Sequence, residues 1–92
     1  MDQQIKIEKS SQQQLKSKGV FSWPIWEKEV SEFPWTYDQT EECYILEGRV
    51  VVEPETGEAV EFGVGDFVTF PRGLNCTWKI LESVKKHYRY SR

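Results

Sequence analysis

The sequence holds one histidine, His87, and two cysteines, Cys43 and Cys76, set far apart. With no second imidazole, a conventional histidine-rich metal site cannot be built from one chain. The cysteines form neither a C-x-x-C pair nor a zinc-finger spacing. Basic residues are not in excess: 12 Lys and Arg against 15 Asp and Glu leave a net charge of −3, and no basic stripe appears. Nucleic acid is therefore not expected as a partner. No transmembrane run, signal-peptide pattern or lipidation motif is visible, so no membrane partner is expected either. A reducing, cytoplasmic setting is the default, or an organelle if a transit peptide was removed. With 92 residues there is no room for two domains.

Aromatic residues are abundant: four Trp, four Tyr and five Phe. Each buried ring removes a large apolar area from water, which suits a small core. Residues 3–9 alternate weakly and predict a short edge strand. Ser10 or Ser11 can cap a short helix running to Lys16, with Gly19 as its left-handed exit. From Val20 onward the pattern is β. Pro24 sits at an edge or bend between Trp23 and Trp26. Strands are expected over 33–37, 41–53, 59–62, 67–70, 76–81 and 84–90, separated by turns at Glu55-Thr56-Gly57, Gly63 to Asp66 and Pro71-Arg72-Gly73. Many short strands between Gly and Pro turns predict an all-β sandwich or barrel with one short N-terminal helix. The expected division is an N-terminal extension over 1–22 and a barrel over 23–92, forming one domain. Lys85, Lys86, Arg89 and Arg92 are read as the charged face of a soluble edge strand.

Two stretches carry a family resemblance. Glu41-Glu42-Cys43-Tyr44-Ile45-Leu46-Glu47-Gly48 resembles the first cupin motif through Glu41 and Gly48. Gly65-Asp66-Phe67-Val68-Thr69-Phe70-Pro71-Arg72-Gly73 resembles the second through Gly65, Pro71 and Gly73. Together they imply a cupin-type double-stranded β-helix, a jelly-roll barrel of the RmlC-like kind. Trp23-Pro24-x-Trp26, Cys43 to Gly48, Asp66 to Pro71 and Lys86-His87-Tyr88 look like short members of the ureidoglycine aminohydrolase cupin group. The resemblance places the family's histidine ligands at Trp35 and Tyr37, or one residue earlier, and at Cys76, beside Glu41. An indole N–H cannot donate a lone pair, and a phenol near neutral pH is a poor ligand. Only Glu41 and Cys76 remain, so weak or no divalent metal is expected, and no cofactor.

Strand alternation groups the candidates. If Glu41 faces inward, so do Cys43 and Ile45; if Cys76 does, so do Trp78 and Ile80. Tyr44 and Leu46 then face outward, which implies a covering element or a dimer contact. A homodimer is the expectation. Glu41 reads either as a structural carboxylate or as a general acid/base, since an apolar interior favours the protonated form. Cys76 reads as a small buried hydrophobe or a reactive thiol. Trp35, Tyr37, Trp78, Phe33 and Phe70 either wall a ligand pocket or pack a core. Arg72, in a mouth loop, either holds an anionic group or is solvated. His87 reads as a surface or interface residue, with a pocket base as the alternative.

Three functions follow. The first is a small polar organic ligand bound by Trp35, Tyr37, Glu41, Cys76, Trp78 and Arg72. The second is implied by the resemblance: a metal-dependent amidohydrolase acting on a ureido or related nitrogen compound, with Glu41 as base and Cys76 and Tyr37 assisting. The third is a structural or regulatory subunit of a larger assembly.

Overall fold

The structure, a computed structural model, describes residues 4–91. Its elements run β1 (Lys6–Lys9), α1 (Gln12–Lys18), a 3-10 turn (Val20–Ser22), β2 (Ile25–Lys28), β3 (Ser31–Thr36), β4 (Thr40–Pro54), β5 (Val60–Gly63), β6 (Asp66–Phe70) and β7 (Asn75–Ser91). This is the expected all-β jelly roll with one short helix. Residue 3 of the expected first strand, and Arg92 of the basic cluster, lie outside the described residues.

Two long strands build the frame. β4 and β7 pair antiparallel from Thr40 opposite Ser91 to Pro54 opposite Cys76. Both bend in the middle, where the register slips between Ile45 and Val50. Their other neighbours change at this bend. The first half of β4 pairs with β6, and its second half with β5. β7 pairs first with β3 and then, from Val84, with β2. β1 joins β6, so part of the expected N-terminal extension belongs to the sheet itself. One layer thus runs β1-β6-β4-β7-β2, and the other halves of β4 and β7 form a second layer between β5 and β3. Their inner faces enclose a core that includes Cys43, Ile45, Val50, Val52, Phe70, Trp78 and Ile80.

Two expectations need correction. The strands expected over 76–81 and 84–90 are one strand, because Glu82 and Ser83 mark a bend and not a break. The basic stretch is also not an edge at Lys85 and Lys86, where β7 pairs with β4 on one side and β2 on the other. Being central, it carries Lys86 into the interior.

The outer face of β4 is covered from within the chain. Ser11 accepts a hydrogen bond from the Gln14 N–H, and the Gln14 side chain accepts one from the Ser11 N–H. That reciprocal cap starts α1, and Gly19, at φ 75°, ends it in the left-handed region. The helix and the turn after it then place Leu15, Val20 and Trp23 against Phe67, with Tyr44 packed on the same cluster. Of the two covers expected for Tyr44, the structure supplies an intramolecular one.

Candidate functional site

Inside the barrel, alternation on β4 turns Glu41, Cys43 and Ile45 to the interior, and all three are buried. On β7 the even positions face the same way. Cys76, Trp78 and Ile80 do so before the bend, and Val84 and Lys86 after it. Lys86 is paired with Ile45 on β4 and with Trp26 on β2. Its long stem reaches along the inside of the sheet to Glu41. The ammonium donates to Glu41 Oε2 at 2.6 Å. Both side chains are almost wholly enclosed, at 6% and 3% exposure. The cation also lies over the rings of Trp26 and Trp78, at 5.0 and 4.8 Å from their centroids. An ion pair in such surroundings offsets its desolvation only with good geometry and further partners. The two ring faces supply such partners.

This pair opens onto a cavity of about 90 Å³ walled by Trp26, Phe33, Trp35, Tyr37, Glu41, Trp78, Lys86, Tyr88 and Tyr90. Trp78 Nε1 donates to the Tyr37 hydroxyl at 3.0 Å, and the Tyr37 ring stacks on Phe70 at 4.8 Å. The polar tips are therefore held while the ring faces stay apolar. On the solvent side, the wall residues Trp35 and Tyr90 are 44% and 45% exposed. Next to the cavity, Thr36, Asp38 and Gln39 line a shallow groove that shares Trp35, Tyr37 and Tyr90 with the cavity wall.

Five of the residues singled out from the sequence, Phe33, Trp35, Tyr37, Glu41 and Trp78, line this cavity together, while Phe70 lies in the core behind it. Cys76 is buried beside it but is not in the wall; its thiol lies 3.6 Å from the Trp35 carbonyl oxygen. Arg72 is exposed in the turn after β6 and is not in the wall either. His87 is not a surface residue. Being odd-numbered, it faces away from the cavity, and the N-terminal segment buries it there. Its Nδ1 lies 2.9 Å from the Trp23 carbonyl oxygen, and Phe21 packs edge-on against the ring.

Sequence reasoning missed Lys86, Trp26, Tyr88 and Tyr90. The signal available was parity, since positions 84, 86, 88 and 90 continue the inward set of Trp78 and Ile80. Seeing it required β7 to be one central strand.

The donors at the expected ligand positions do not suit a resident divalent ion. Metal ligation needs deprotonated Cys or Tyr. Burial pushes the Cys76 thiol up to about 11, and burial, with the Glu41 charge second, holds the Tyr37 phenol above its ordinary range. Glu41 is bonded to Lys86. Among the described residues no cluster of three or more His, Cys, Asp or Glu is positioned to share an ion.

The thiols give a testable pH dependence. Burial pushes Cys43 up to about 12, above Cys76. The folded state thus keeps protons that the unfolded chain releases above about pH 8.5. Their contribution is intact below that pH and declines as pH rises toward 11 and 12, by at most about 1.4 kcal/mol per pH unit for each thiol. Urea unfolding at pH 8 and pH 10.5 should show the decline, and Cys43→Ala should flatten it. An unchanged slope in that variant would assign the decline to other groups.

Comparison with known proteins places this geometry. Residues 15–88 match the EutQ-like cupin domain. A crystal structure of a DUF861-family protein from Thermotoga maritima is 56% identical, with a TM-score of 0.94, over 96% of this chain and 100% of that one. A putative ethanolamine utilization protein Q from Salmonella typhimurium is 30% identical, with a TM-score of 0.63, over 70% of this chain and 51% of that one. The Clostridium difficile EutQ protein has the same TM-score at 20% identity, over 70% of this chain and 50% of that one, which shows the shared fold alone. The chain thus spans about half the length of these two EutQ proteins. No curated protein matches it significantly. With the motif glycines and proline in place and most of its length matched, the chain belongs to the EutQ-like cupin family.

Proposed function

We propose that this cupin binds a small, uncharged, polar organic molecule in the barrel. The observation that carries this reading is the buried Glu41–Lys86 pair at the base of an aromatic-walled cavity. The pair is neutral as a unit, so a charged guest would face one repelling partner at close range in a poorly screened site. A neutral guest meets no such penalty. Lys86 gives one of its three protons to Glu41 and can offer another to a carbonyl or hydroxyl oxygen. The rings of Trp26, Phe33, Trp78 and Tyr88 provide apolar contact for the rest of the molecule. The cavity volume limits the guest to a few heavy atoms.

Titration with small neutral amides, ureas, alcohols and aldehydes, followed by proton–nitrogen NMR, tests this. The indole N–H signals of Trp26, Trp35 and Trp78 should move saturably, with a Kd of about 1 mM or tighter for the best compound. Trp23, packed under the N-terminal cover, should stay still. Equal movement at Trp23, or none at the other three across the set, would reject the cavity as the site. Simple carboxylates and amines should bind more weakly. A ureido compound falls within this ligand class. Its hydrolysis, with Glu41 as base, is the second reading, and release of ammonia in the same samples would distinguish turnover from binding.

A further inference from the structure

We propose that Lys86 condenses reversibly with a small aldehyde in this cavity, forming an imine. The inference rests on the ligand-binding reading above and adds a covalent step to it. Three features of the geometry converge. The amine nitrogen lies in the cavity wall, among ring faces that exclude water. A carboxylate oxygen stands 2.6 Å away, close enough to receive a proton. The cavity is not sealed, and two of its wall residues, Trp35 and Tyr90, are about half exposed, which gives a small guest access. A lysine desolvated in an apolar pocket is a recurrent form of amine nucleophile toward carbonyl groups.

The step balances without any further reagent. The ammonium passes one proton to Glu41, and the free pair on Nζ attacks the carbonyl carbon. A C–N bond forms, and the carbonyl π pair moves to oxygen, which takes the proton back from Glu41. The nitrogen of this adduct then gives its remaining excess proton, through Glu41, to the hydroxyl, which leaves as water while the nitrogen pair closes the C=N bond. Ammonium and aldehyde have become iminium and water, with no change of charge. The iminium inherits what held the ammonium: the Glu41 carboxylate and the faces of Trp26 and Trp78. The site thus suits reactant and product alike. The proposal predicts that the buried lysine is the most readily captured one, opposite to what exposure alone would give.

The test uses the full chain, acetaldehyde and sodium cyanoborohydride, with adducts mapped by peptide mass spectrometry. Lys86 should acquire its N-ethyl group at least about ten-fold faster than the exposed Lys6. Glu41→Gln should slow capture at Lys86 and leave Lys6 unchanged; Lys86→Arg should remove the fast reaction altogether. Since either variant can fail to fold, the ratio of Lys86 to Lys6 in the unaltered protein decides. If Lys86 reacts no faster than Lys6 while acetamide still moves the Trp26, Trp35 and Trp78 signals, the imine is refuted and the binding reading survives. If acetamide moves none of these signals either, both fall.

Discussion

Replacing Lys86 with methionine should destabilise the fold by about 3–5 kcal/mol, the range for breaking a buried ion pair from one side. Methionine keeps most of the stem and its packing between Trp26 and Trp78, so little of the loss comes from a void. The cost arises at Glu41, whose carboxylate would stay enclosed with its cationic partner gone. In a domain of this size such a change lowers Tm by about 15–25 °C. The double variant Glu41→Gln with Lys86→Met should regain most of it, because two neutral groups no longer require each other. Chemical denaturation of the four proteins closes a double-mutant cycle. A single variant that loses less than about 1 kcal/mol would put the pair in the class of solvent-screened surface bridges, contrary to its burial.

That pair also shows which layer of the structure sequence reasoning reaches. Turns and caps are local. Ser10 or Ser11 as the helix cap, Gly19 as its exit, the turn at Pro71 and the spans of β4, β5 and β6 depend on neighbours a few positions away, and these were legible. The inward set of Glu41, Cys43 and Ile45 was legible too, because alternation within one strand is also local. The environment of Lys86 is not local. A basic strand at the rim and a basic strand in the middle of a sheet have the same sequence. What separates them is β2 and β3, whose pairing with β7 is set by the course of the whole chain. His87 was misread for a related reason: its burial comes from Phe21 and Trp23, more than sixty residues upstream. Cys76 and Arg72 show the reverse limit. Motif spacing fixes where a residue falls along the chain, but the reach of its side chain decides whether it enters the cavity wall.

Gly48→Ala should be nearly as costly as the loss of Lys86, for a purely geometric reason. Gly48 stands at the bend of β4 with φ 101°, a region that side chains oppose. The bend also brings it against the backbone of β7. A Cβ there would lie 2.7 Å from Val84 Cα and 2.8 Å from the Glu82 carbonyl oxygen, with the Ser83 carbonyl oxygen closer still. None of these atoms belongs to a side chain that can swing aside, so one strand must move. A loss of about 3 kcal/mol or more is expected, combining left-handed strain with overpacking. Gly65→Ala isolates the first of these, since Gly65 has φ 89° and nothing within 4 Å of the added atom. It should cost only about 1 kcal/mol. Equal losses at the two positions would mean that the β4–β7 approach contributes nothing. The bend also links fold to site. It lets Ile45 and Val50 face one core although they differ in parity, and it carries β7 through its slip with Lys86 still inward. A folded Gly48→Ala protein should therefore show displaced Trp26 and Trp78 indole signals even without ligand, as the Lys86 ammonium shifts against those rings.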